Sequence, residues 1–289
     1  MTAAVSRWFF APLPVARVAV LRLIAYLFLI LDVLYLRPWG VGHGELDAEW
    51  YAPLWIGRAL PLPTPTPLLV DILIGGLVVG SLIGLTGRFP RLVGWFVAVL
   101  YLQWMIVSMS YGKVDHDRFG FMLLLFVLPT VGRASVRDRS PSEAAGWALR
   151  MVQIGAVATY FLAGLAKLRY GGLAWFNGAT VARSVVRRGT ELALPLLDHP
   201  WTLRATQWFI MIMELTSPVL LFLKARWQYL IVAGLFAFHI ATFMGITIIF
   251  FPHLVALLSF LPLERVIPSR FVRTPTVPAA PRPAEPVPA

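Results

Sequence analysis

The chain has 289 residues, 58% of them hydrophobic and only 13% charged, with a formal charge of +11. That balance excludes an ordinary soluble domain and marks a polytopic helical membrane protein. The positive charge then reads as topology-setting arginine and headgroup contact, not as a nucleic-acid surface. The absence of cysteine excludes disulfides, thiolate metal sites and cysteine nucleophiles.

A short N-terminal segment, residues 1–14, precedes a first apolar span over about Val15 to Leu36. This span has no small-residue cleavage site and reads as a retained helix. It carries Arg22 and Asp32, with Arg37 at its exit. Charges inside a membrane face the bundle interior and pair. Arg22 and Asp32 lie about 15 Å apart along one helix, so each is expected to find a partner on another helix, or Asp32 to meet Arg37. A Pro-rich loop leads to a second span, about Leu68 to Gly87, whose Gly75, Gly76, Gly80 and Gly84 permit close helix approach. The third span is about Leu92 to Ser110. The polar turn Tyr111 to Arg118, with His116 between Asp115 and Asp117, opens a fourth span ending near Pro129.

Span five runs about Trp147 to Leu168 and closes on Lys167, one of three lysines in a chain that otherwise uses arginine. Residues 169–201 are too polar to span, and Ala182 to Arg188 is expected to be an interfacial helix. Span six, about Leu203 to Leu223, holds Glu214 at its middle. The last apolar stretch, Gln228 to Leu263, is too long for one span and splits near Gly245. The expected fold is an all-α polytopic membrane protein of about eight transmembrane helices, with an interfacial or re-entrant segment and no soluble domain. Its membrane domain covers 15–263, and a Pro-rich, disordered tail follows over 264–289. Arginines favour the side carrying both termini, so these are expected to be cytoplasmic, in the inner membrane of a bacterium; the Arg-, Ala- and Pro-rich composition suggests that origin.

Several residues here are chemically distinctive. A lysine within a span costs about 2.5–3.5 kcal/mol at the bilayer centre, and a desolvated lysine can serve as a base; the bland alternative is snorkelling to the interface. His239, in mid-span, is either functional or an interhelical hydrogen-bonding group. His116, flanked by two carboxylates that favour its charged form, is either a helper in catalysis or part of a solvated turn. Arg22, Asp32, Arg37 and Glu214 read as a structural ion-pair network. His239 and His253 have a spacing used by haem-holding helices, but no second pair exists and Gly245 and Pro252 interrupt the helix. No metal site is therefore expected.

Three stretches together carry a resemblance. They are Leu21-Arg22 followed by Asp32 and Arg37; Ala163-Gly164-Leu165-Ala166-Lys167-Leu168 followed by Trp175 and Gly178; and Phe238-His239 followed by Gly245, Phe251 and Pro252. In order and spacing the chain resembles the HTTM (horizontally transferred transmembrane) family and the membrane domain of the vitamin K-dependent gamma-glutamyl carboxylases. The resemblance implies a reduced naphthoquinone (menaquinol or vitamin K hydroquinone), oxygen and, for carboxylation, carbon dioxide as co-reactants. It implies Lys167 as base, with His116 and His239 as helpers. Tyr160, Gly164 and Lys167 share one helical face, so a planar ring is expected on Gly164 beneath Lys167, with Trp175 and Asn177 bordering it.

Two departures stand out. The turn before His116 is shorter than in the carboxylases, with Asp115 in front of the histidine, and the large luminal domain is missing. The expected substrate is therefore small or lipid-associated. Expected partners are membrane lipids, quinone and a redox or biosynthetic protein, with no nucleic acid. A non-catalytic component that binds quinone or lipid, or anchors a partner enzyme, remains the alternative. A transporter is disfavoured because the halves show no internal repeat.

Overall fold

The computed structural model describes residues 2–36, 39–60, 62–268 and 270. Its principal helices are α1 (Ala3–Phe9), α2 (Val15–Leu31), α3 (Pro67–Leu85), α4 (Pro90–Ser108), α5 (Phe119–Val131), α6 (Glu143–Gly171), α7 (Ala179–Arg188), α8 (Pro200–Thr216), α9 (Ala225–Ile246) and α10 (Phe251–Leu257). Local chemistry sets their starts. Thr66 accepts a hydrogen bond from the Leu69 amide just ahead of Pro67, and Ser142 accepts one from the Ala145 amide at the head of α6. Proline at the first position of α3, α4 and α8 costs no hydrogen bond, because that amide has no partner within the helix.

The protein is all-α and multi-pass. Among the described residues, six helices are long and apolar enough to cross a membrane. The fourth and eighth expected spans are shorter. α5 has 13 residues, and α10 with the turn after it covers Phe251–Phe260. Thirteen residues reach only about 20 Å, against a hydrocarbon core of about 30 Å. Both short helices are buried among the others, α10 from Pro252 to Leu257 without interruption, so neither has to match the lipid thickness. A two-residue antiparallel pairing, Leu13 with Ser142 and Pro14 with Pro141, ties the start of α2 to the start of α6. The expected interfacial helix is present as α7, beginning three residues earlier than its sequence suggests.

The core gathers α2 to α6 around the fully buried Tyr26, Tyr101, Trp104 and Phe121. α3 reaches it through Gly84, where a Cβ would lie 2.5 Å from the Tyr26 ring; only hydrogen fits at that crossing.

The intramembrane charges do not form the single network expected. Among the described residues Arg22 makes no ion pair. Its guanidinium donates to the carbonyls of Leu128 and Gly132, 2.9 Å each, and so satisfies the carbonyls left open where Pro129 and Gly132 end α5. Asp32, wholly buried, pairs with Arg118 and accepts a hydrogen bond from Tyr101 Oη. Glu214 belongs to a separate site. Arg37 lies outside the described residues, as does the Pro-rich stretch from 271 onward. The start of the expected tail is anchored: Arg17 grips Glu264 with two hydrogen bonds of 2.7 and 2.8 Å.

Burial pushes the Glu264 carboxyl up, but the Arg17 fork, a backbone donor and the Arg265 charge outweigh it, leaving the group below its ordinary value of 4.5. A depressed carboxyl stabilises the fold fully above the unfolded value, and that contribution is lost as pH falls through the folded one. Unfolding in detergent micelles should therefore become easier below about pH 4.5, and Glu264→Gln should remove that increment of acid sensitivity. An identical pH profile for the variant would show that the clasp contributes nothing.

Candidate functional site

The last turns of α6 face a cavity of about 650 Å³, within the usual range for small-molecule sites. α8, α9 and α7 supply the other walls, and α10 and the 116–118 turn close it. The walls are mostly apolar, and the polar side chains gather at two places.

At the first, Lys167 Nζ donates to Glu214 Oε1 at 2.5 Å. The Lys167 side chain keeps 28% of its exposure and that of Glu214 only 9%. The second Glu214 oxygen is buried with no partner among the described residues. The Trp175 ring centroid lies 5.7 Å from Nζ, in the range of a cation–π contact. Trp175 sits in the 3₁₀ turn Gly172–Asn177, held because Gln207 Nε2 donates to its carbonyl. The turn itself needs glycine: Gly172 and Gly178 have φ of +55° and +93°, where other residues are strained.

At the second place, Tyr160 Oη and His239 Nε2 are 2.6 Å apart. The His253 ring stands edge-on to Tyr160, with centroids 4.5 Å apart, and 5.6 Å from the His239 ring. Both His253 nitrogens and His239 Nδ1 are buried without a partner among the described residues. Buried polar atoms in that condition are costly, and a bound ligand is one way to satisfy them.

The structure brings together Lys167, His116, His239, Tyr160 and Trp175, all of which line the cavity. It corrects three expectations. Gly164 offers no shelf for a planar ring: a Cβ there would lie 2.9 Å from Glu214 Cβ and 3.2 Å from Leu215 Cδ2. The glycine instead lets α8 close on α6, which is how Glu214 reaches Lys167. Glu214 is the lysine's partner and not a member of a structural network with Arg22 and Asp32. Asn177 is exposed, and its side chain accepts from the Ala179 amide 2.8 Å away to cap α7. The carboxylates beside His116 also have other commitments. Asp115 pairs with Lys113 at 3.0 Å, and the charge of Asp117 acts on Arg118.

The structure adds His253 to the site, a residue that its spacing from His239 alone does not single out. Its signal was present: an ionisable ring inside an apolar stretch is a functional candidate by default. Among the described residues no group of three His, Asp or Glu is arranged to hold a metal.

The Lys167–Glu214 pair can be tested directly. Removing one partner leaves a charge stranded against an apolar cavity. Lys167→Ala or Glu214→Ala should then lower the unfolding free energy in mixed micelles, towards the lower end of about 3–5 kcal/mol because Nζ is partly exposed. The double variant Lys167→Met with Glu214→Met should cost clearly less than the sum of the singles. Strict additivity would mean the two side chains do not interact.

A family model described as the HTTM domain matches residues 10–264. That domain is linked to vitamin K-dependent carboxylase-like membrane proteins. No curated protein and no solved structure matches the chain.

Proposed function

The chain belongs to the HTTM domain family, and from that premise we propose that its cavity binds a reduced naphthoquinone and supports oxygen-dependent proton abstraction from a small or lipid-associated substrate. The observation that carries this reading is the Lys167–Glu214 pair at one side of a largely apolar cavity, with Tyr160, His239 and His253 grouped at a second polar point in it. The residues fit a flat molecule with polar substituents. Apolar walls accept its faces, while Glu214 Oε2 and the His253 nitrogens are buried polar atoms awaiting a partner.

When bound with oxygen, such a quinol supplies the strong base that epoxidation or carboxylation requires. The protein's part is to manage protons. Lys167 cannot accept one while it is an ammonium ion paired to a carboxylate. The Glu214 carboxylate, 2.5 Å from Nζ, is placed to take a proton from it. The neutral amine left behind faces the cavity as a general base. His116, from the 116–118 turn, adds a titratable group that can offset negative charge developing in the cavity. Tyr160 Oη and His239 Nε2 are hydrogen-bonded at 2.6 Å, and His253 offers either ring nitrogen to a ligand oxygen.

The same reading puts both termini on the cytoplasmic side of a bacterial inner membrane, supported by Arg7, Arg88, Arg91, Arg133, Arg137 and Arg139 flanking the spans there. A redox or biosynthetic protein that regenerates the quinol or takes the product is part of it. A non-catalytic role in binding quinone or lipid would give binding without turnover.

The test is to incubate purified protein with a reduced naphthoquinone and oxygen and to measure the epoxide by mass spectrometry. The wild type should form it. Lys167→Ala and Glu214→Gln should each reduce turnover by about 100-fold or more, the scale of lost general-base catalysis. Absence of epoxide from the wild type, or equal yield from Lys167→Ala, sinks the enzymatic reading.

A further inference from the structure

α8 and α9 follow one another in the chain, yet they barely touch. Sequential antiparallel helices normally pack side by side, with axes about 8–10 Å apart. Here each gives one face to the cavity instead. The lining positions are 205, 206, 209, 210, 213 and 214 on α8 and 238, 239, 241, 242, 245 and 246 on α9, one face of each helix. Of α9's 22 residues only Val232, Leu235 and His239 are buried.

α9 is nevertheless held at both ends. Near the Lys167 end, the Thr190 amide donates to the Gly245 carbonyl at 2.9 Å and its hydroxyl to the Met244 carbonyl at 2.7 Å, so the chain after α7 is fastened to the end of α9. At the far end, Gln228 Nε2 donates to the Leu220 carbonyl at 3.0 Å, joining α9 to the turn that continues α8. Between these ties Phe209 faces Phe238 across the gap, with ring centroids 6.1 Å apart. Both rings line the cavity, and Phe209 is 55% exposed.

We propose that the gap between α8 and α9 is a lateral doorway from the bilayer, gated by Phe209 and Phe238. Its ligand is an amphiphile drawn from the membrane: the polar group reaches Lys167 and Glu214, and a hydrocarbon chain trails out between the two rings. The wall chemistry supports this occupant. The stripes facing the gap carry Ile210, Met213, Phe238 and Thr242, which suit a chain and offer no charge to a water-soluble molecule. The ties at both ends leave the membrane-facing side as the place where the walls part. The identity of the polar group rests on the quinol reading above; the doorway does not.

The test uses the full chain in phosphatidylglycerol nanodiscs doped with a phosphatidylcholine carrying a diazirine in its acyl chain, with adducts mapped by mass spectrometry. Labelling is expected on cavity-facing Ile210 and Met213 as well as on the exposed Ile212 and Ile240. Phe209→Trp combined with Phe238→Trp should abolish the cavity adducts and leave the outer ones. Adducts confined to Ile212 and Ile240, or cavity adducts indifferent to the double variant, overturn the doorway. A second arm adds reduced naphthoquinones with either a methyl or a polyprenyl substituent. At equal total concentration the polyprenyl compound should compete with cavity labelling at least about tenfold better, since its chain concentrates it in the bilayer from which the doorway opens and two methylenes already account for that factor. Equal competition by the two compounds would refute the trailing chain. If neither competes while cavity labelling persists, the quinol reading fails and the doorway stands.

Discussion

Because Gly164 has no side chain, α8 lies close enough to α6 for Glu214 to reach Lys167, and the character of the site follows from that approach. A methyl group there would meet the Glu214 side chain and push the carboxylate away from the amine. With the two in contact, the lysine is part of a neutral pair and not a lone charge in an apolar cavity, and proton transfer within the pair becomes a chemical option. The same closeness leaves the second carboxylate oxygen buried and unpartnered among the described residues, so the pair can interact with something else.

Charges in this chain meet the bilayer's penalty in three different ways. Arg22 spends its guanidinium on the open carbonyls at the end of a short helix. Asp32 and Arg118 neutralise each other in the core beneath Tyr101. That pair also fixes the turn carrying His116, because Arg118 is two residues further along the same 3₁₀ turn. Lys167 and Glu214 pair at a cavity wall, where solvent and ligand can reach the amine. Each arrangement leaves one buried polar atom without a partner among the described residues, Arg22 Nε, Asp32 Oδ1 and Glu214 Oε2, but of the three residues Glu214 alone lines the cavity. This separates chemistry from scaffolding.

The molecule is correspondingly uneven. α2 to α6 interlock around large buried rings, while α8 and α9 hold to their surroundings at their ends and face a cavity between. Stability concentrates in the first group, and local opening is easiest where apolar contacts are fewest. A cavity with one loosely packed wall can exchange a hydrophobic ligand with the bilayer without disturbing the rigid helices that hold Tyr160 and Lys167.

Composition and pattern were enough to read the class of the protein, six of the eight expected spans and the family, since a bilayer demands long apolar helices and these leave a plain trace in sequence. The gathering of Lys167, His116, His239, Tyr160 and Trp175 was legible too, through motif order and helical spacing. Partner choice was not. Arg22 binding carbonyls, Asp32 choosing Arg118, and Glu214 choosing Lys167 depend on which helices are neighbours, and charge type alone cannot rank such partners. Gly164 and Asn177 were misread for a related reason: spacing gives a helical face but not what lies against it. His253 joined the site only when α10 folded back beside α6. Lys167 stands out in the sequence because a lysine is expensive in a membrane; its partner is decided by the crossing of α6 and α8 at Gly164.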